Sequence, residues 1–365
     1  MAETFSTSEL VIPGTFVRVR AEGLISVGGI STGNIGIVGT AAAQVDVTNA
    51  FSATHNLSDY ESAKKIFAAY DTYSGDSGTL NLMRALEILY RNGARTVYTR
   101  AVPTSAATPA DFTAALNELV KENINIIIAP ELSTSDAISV LPPILESSEN
   151  SSQDLIAVIG ADDIAVTDII AERPTNDRII YTAPGFEAFD AVAKANVNLS
   201  GKYSAAAIAG LVSTLTPESS PTNKVLSGVS HLAQRFSYGE LKQLTSARVM
   251  TLEERGGVRV VRGITTDDGA FTQVTTRRIT DFAKAGIRKA SDPFIGKLNN
   301  QRVRKALQGS IDSFLTTMVI DEQLIGYQLE VTATRADEIA GRAIVNAVIQ
   351  PTFSIDFVAV TLVLE

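Results

Sequence analysis

Between residues 35 and 182 the chain alternates short apolar runs with stretches of helical periodicity, and this alternation constrains the fold more than any other feature. The runs at 35–38, 97–100, 124–129, 155–159 and 178–182 are strand-sized. Helical patterns fall between them near 59–70, 79–92, 109–122, 136–146 and 163–171. Strands separated by helices predict an α/β layer built on a mostly parallel sheet. Loops are expected at 74–78, 147–153 and 216–223, which are rich in Ser, Gly, Pro or Asn.

Past residue 223 the pattern reads as α+β. A helix is expected at 239–246, β structure at 247–252 and 258–263, and a turn at Asp267-Asp268-Gly269. Helices follow at 277–290 and 301–318, then β structure at 324–332, 342–349 and 353–364. In the second helix Val303, Leu307, Ile311, Phe314 and Met318 recur at steps of four and three, which marks one core-facing stripe. With 45% hydrophobic residues in 365, there is material for one large core or two smaller ones.

The two chain ends stand apart. Phe16, Val17, Arg18 and Val19 form a short strand-like run among glycines, too short to bury itself. At the other end Phe353, Ile355 and Phe357 alternate with polar residues. From Val358 through Val360 to residue 364 both faces are apolar apart from Thr361, the mark of a strand covered on both sides. Such ends pair within their own chain or onto another subunit. The resulting division is a linking arm at 1–34, an α/β region at 35–222, an α+β core at 223–350 and a C-terminal strand at 351–365. The fold class is α/β and α+β, with mixed sheets flanked by helices and extended N- and C-terminal β arms.

Residues that carry chemistry are sparse. There is no cysteine, so disulfides, thiolate metal sites and thiol nucleophiles are excluded. Two histidines exist, His55 in an expected polar loop and His231 at an expected helix start. The phosphate-loop, GxSxG and HExxH patterns are absent. Gly28, Gly29, Gly33, Gly36 and Gly39 lack GxGxxG spacing and read as turn and packing glycines. Asp162 and Asp163 are placed to cap the helix after them. No catalytic, cofactor or metal site is expected. The opening residues lack a secretory pattern and no apolar run approaches membrane-helix length, so a soluble chain made in the cytoplasm is expected.

Charge is segregated. Nine basic residues against two acidic ones give residues 277–305 a net +7 in a chain of −9. A field of this kind faces an acidic protein surface or nucleic acid, or is a solvated helix face. The acidic total and the lack of interleaved aromatics speak against nucleic acid.

Several fragments, in order, resemble the contractile tail sheath family of phages and related injection particles. They are Pro13-Gly14-Thr15-Phe16-Val17, Ile37-Val38-Gly39-Thr40-Ala41, Asn92-Gly93-Ala94 and Ile127-Ile128-Ala129-Pro130-Glu131. Further on come Pro221-Thr222-Asn223, Gly263-Ile264-Thr265-Thr266, Arg277-Arg278-Ile279, Gly326-Tyr327 and a last strand after Pro351. The resemblance implies a structural subunit, not an enzyme, that needs no cofactor. It implies stacked rings of self-association around an inner tube protein, with baseplate and terminator proteins at the ends and neither nucleic acid nor membrane as a partner of this chain. Assembly is expected in the bacterial cytoplasm, within a virion or tail-like particle that is sometimes released. On this reading Lys284, Arg288, Lys289, Lys297 and Arg302 are candidates for tube contact. Phe16, Val17, Arg18, Val19, Phe353, Ile355, Phe357, Val358 and Val360 are candidates for pairing between subunits. The competing class is an α/β small-molecule binder or enzyme with its site at the strand ends.

Overall fold

A computed structural model describes residues 30–74, 79–104 and 106–363. The arm candidates Phe16, Val17, Arg18 and Val19 lie outside the described residues.

The first elements are β1 (Ile35–Thr40), β2 (His55–Leu57), α1 (Tyr60–Lys64), α2 (Leu82–Arg91) and β3 (Val97–Val102). Next come α3 (Pro109–Leu119), β4 (Ile126–Ile128), α4 (Thr134–Asn150), β5 (Ile156–Gly160), α5 (Val166–Glu172) and β6 (Ile179–Ala183). A hairpin of β7 (Phe186–Asp190) and β8 (Ala195–Leu199) leads to α6 (Lys202–Thr214). Then follow β9 (His231–Leu232), α7 (Tyr238–Ser246), β10 (Met250–Glu254) and β11 (Val258–Val260). The chain continues with α8 (Val274–Ser291), α9 (Gln301–Ile320), β12 (Leu324–Thr332), α10 (Arg335–Ile339) and β13 (Ile344–Pro351).

Eight strands form one sheet in the order β11-β10-β6-β5-β4-β1-β3-β2. The inner pairings are parallel, and antiparallel β11 and β2 close the two edges. The inner strands are buried on both faces because helices cover both. Ile35, Ile37, Ile126, Ile128, Ile156 and Val158 face α2 and α6. Val38, Ile127, Ala157, Ile159 and Tyr181 face α3, α4, α5 and α7. That is why these strands read as continuous apolar runs. The sheet crosses the expected 222/223 division, since β10 and β11 join it.

Helix α6 was not visible in the sequence pattern. Its buried residues include Ser204, Ala205, Ala206, Ala207, Ala209 and Gly210, small on every side rather than apolar on one. Small residues let it sit close: a Cβ on Gly210 would stand 2.6 Å from the carbonyl oxygen of Leu89. The helix expected over 59–70 is only α1. The chain turns after it to bury Phe67, and Ala43 bridges to Phe67.

A second unit packs α8, α9 and the β12–β13 hairpin around Ile279, Leu307, Ile311, Phe314 and Met318. Helices α8 and α9 touch at Gly286, where an added Cβ would collide with the Phe314 ring. Among the described residues β12 and β13 pair only with each other, so each keeps an open edge. Among the described residues the strand expected at 353–364 does not form: 353–363 joins no ladder there, and its large apolar side chains are exposed.

Candidate functional site

The sheet core β3-β1-β4-β5-β6 reverses its strand order at β1, and α/β sheets take ligands in the crevice such a reversal opens. Here that crevice is filled. Glu131, just after β4, turns its carboxylate onto the end of β1, where it accepts hydrogen bonds from the Thr40 amide (2.7 Å) and hydroxyl. A Cβ on Gly39 would meet the same carboxylate at 2.5 Å, and the Leu82 side chain at 3.1 Å. The space left beside Pro130, Gly160 and Lys202 is about 10 Å³, room for one water. Gly33, Gly36 and Gly39 are close-packing positions.

The remaining chemistry candidates are structural as well. His55 lies in β2 rather than a loop, edge-on to Phe67. His231 lies in β9 rather than a helix, because Leu232 beside it pairs with Phe186. Asp162 does not cap α5. It accepts from the Thr134 amide at 2.7 Å and so caps α4, while the Thr134 hydroxyl accepts from the Asp162 amide. Among the described residues no group of three or more His, Asp or Glu is placed to hold a metal, and no helix is long and apolar enough to cross a membrane.

The basic segment divides in two. Its first half is turned inward, which sequence alone did not show. Arg277 is buried and pairs with Asp177 (2.7 Å) and Asp281 (2.6 Å). Arg278 donates to the carbonyl oxygens of Thr32, Leu215 and Thr216, and burial lowers its pKa to about 10. Lys284 pairs with Glu149 and Asp154, and Arg288 with Asp154 at 2.6 Å. At the centre is Arg178, whose side chain is 3% exposed and contacts Glu149, Asp154 and Asp281. The Arg178 hydrogen bond holds the Glu149 carboxyl down at about 2, against the smaller opposing effect of burial. These ions join the large sheet unit to α8. The second half is different: Lys289, Lys297 and Arg302 are exposed, and Lys297 lies over the Phe294 ring. Arg304 is tied to Glu338.

The C-terminal segment has two distinct faces. Ser354 and Asp356 turn inward and are hydrogen-bonded to the rest of the chain. Phe353, Ile355 and Phe357 turn outward, 60%, 82% and 77% exposed. Val358, Val360, Leu362 and Val363 are exposed beyond them. Contiguous apolar surface of this kind marks a site of association.

A filled crevice, an open-edged hairpin and an exposed apolar chain end define a subunit made for assembly with other chains. Family comparison says which. The phage tail sheath protein central domain matches residues 105–266, and the phage tail sheath C-terminal domain matches 266–365. The chain belongs to the contractile tail sheath family and is a structural sheath subunit. The alternative of a small-molecule binder or enzyme has no support. No curated protein matches by sequence. Solved structures do match in fold. The helical sheath of the anti-feeding prophage in its contracted state is 18% identical, with a TM-score of 0.77 over 97% of this chain and 99% of that one. The contracted PVC sheath complex of an extracellular contractile injection system is 14% identical, TM-score 0.73, over 100% and 99%. The sheath tail protein from Desulfitobacterium hafniense is 12% identical, TM-score 0.64, over 93% and 100%.

Proposed function

We propose that copies of this chain stack as rings around an inner tube, linked by their chain ends, and that the sheath shortens to drive the tube through a target envelope. The observation that carries this reading is the exposed C-terminal segment. Seven large apolar side chains there face water in the single chain. Pairing of 353–360 onto the open edge of a neighbour's β12–β13 hairpin covers both at once. The arm around Phe16–Val19 is proposed to pair in the same manner. The chain acts as a mechanical subunit without catalysis, is assembled in the bacterial cytoplasm, and meets baseplate and terminator proteins at the sheath ends.

Tube contact is proposed for Lys289, Lys297 and Arg302, the exposed part of the basic segment. Lys284 and Arg288 are less exposed and are weaker candidates. Each exposed ion pair contributes about 0–1 kcal/mol and is salt-screened, so the hold on the tube is strong only by repetition.

Electron microscopy of the purified protein, alone and mixed with its inner tube, tests the whole reading. Hollow cylinders of regular width are expected, and a protein that stays monomeric under all conditions refutes it. Lys289→Glu, Lys297→Glu and Arg302→Glu combined are expected to leave free cylinders intact but abolish tube coating. Normal coating by this triple variant removes the tube-contact assignment while leaving the sheath reading in place.

A further inference from the structure

Three sequence fragments far apart in the chain meet at the root of the C-terminal segment. Pro221 packs against Gly263, where an added Cβ would sit 2.6 Å from the proline ring. The Thr222 hydroxyl accepts from the Gly263 amide at 2.9 Å. Onto this platform comes the tail. The Gln273 side-chain amide grips Ser354 as a strand would: its nitrogen donates to the Ser354 carbonyl (3.1 Å) and its oxygen accepts from the Ser354 amide (3.0 Å). Asp356, with a side chain 6% exposed, accepts from Arg262 Nε at 2.8 Å and from Gln273 Nε2 at 3.1 Å. Thr222 donates to its other oxygen at 3.4 Å. The Arg262 guanidinium also lies 5.2 Å from the Phe357 ring centre.

We infer that Gln273, Arg262 and Asp356 form a clasp that fixes which face of the tail points outward, and thereby prepares it to link a second copy of this chain. The inference rests on the pairing reading above and adds the groups that position the tail. In an extended chain alternate residues point to opposite sides. Holding Ser354 and Asp356 inward therefore forces Phe353, Ile355 and Phe357 outward, as observed. A one-residue slip would reverse the faces. The clasp also orders the root before any neighbour arrives, so less conformational entropy is lost at linkage.

The test uses the full chain and reads the critical concentration for polymer formation. Gln273→Ala and Asp356→Ala are each expected to raise it about tenfold or more, the factor that corresponds to loss of a charge-assisted hydrogen bond. Gln273→Ala leaves Asp356 paired with Arg262 and so no unpaired buried charge, and it carries the test where Asp356→Ala lowers the melting temperature. Below the critical concentration the Ser354 amide is expected to exchange slowly in the wild type and fast in Gln273→Ala. A control, Val358→Asp with Val360→Asp, spoils the pairing strand while leaving the clasp. Polymers abolished in the control but unchanged or easier to form in the clasp variants overturn the clasp and spare the pairing. Normal polymers from the control overturn the pairing, and the clasp with it. An unprotected Ser354 amide in the wild type overturns the clasp by itself.

Discussion

A chain ending at Thr352 is expected to fold and yet to form no linked polymer. The hydrophobic clusters of both units are complete without residues 353–363. What the deletion removes from the single chain is the set of hydrogen bonds at Ser354 and Asp356, with the Arg262–Asp356 ion pair, all outside those clusters. What it removes from an assembly is much larger. Each large apolar side chain moved from water into a neighbour contributes about 1.5–3 kcal/mol, and seven are exposed here. No exposed ion pair approaches that, at about 0–1 kcal/mol. Circular dichroism and thermal melting check that the truncated chain is folded, and sedimentation with microscopy checks for polymers. Linked cylinders from a folded truncation disprove the role given to this segment.

The second large effect is on stability. Arg178→Ala is expected to destabilise the chain by about 3–5 kcal/mol, the range for removing one partner of a buried ion network. Arg178 is the common partner of Glu149, Asp154 and Asp281, and it also donates to the Leu155 carbonyl at 3.2 Å. Without it Asp154 and Asp281, both well buried, crowd together with less positive charge. Lys284→Ala removes a half-exposed partner from the same cluster and is expected to cost far less. Urea unfolding of both variants decides the point. Equal, small losses show that the network is solvated and does not join α8 to the sheet unit.

The strands of the large sheet were legible because each is a short apolar run between turn residues. Helices α8 and α9 were legible because their stripes repeat at helical spacing. Helix α6 was not, since a helix of alanines, glycine and serine buried on all sides has no apolar face to detect. The basic segment shows a different limit. Its charge is plain in the sequence, but Glu149, Asp154 and Asp177, which neutralise its first half, lie a hundred or more residues earlier. Local reading sees a charge and not its partner. Asp162 failed for a related reason: it caps a helix that precedes it in the chain. The tail was recognised as able to form a strand from its alternation. Its alternation does not show that it joins no ladder among the described residues. The lone carboxylate Asp356 amid apolar neighbours was the one available signal of the clasp.

The exposed tail also bears on how the protein is handled before it is used. On the proposed pairing a free copy is adhesive, and the rate at which two free copies meet rises with the square of their concentration. Addition to an existing growing end rises only in direct proportion to it. Dilute free protein with many starting points therefore favours ordered growth, whereas a surge of synthesis without them favours tangled aggregates. On the proposed pairing, the residues that link the lattice also make the timing of production, relative to the appearance of initiation sites, a determinant of yield.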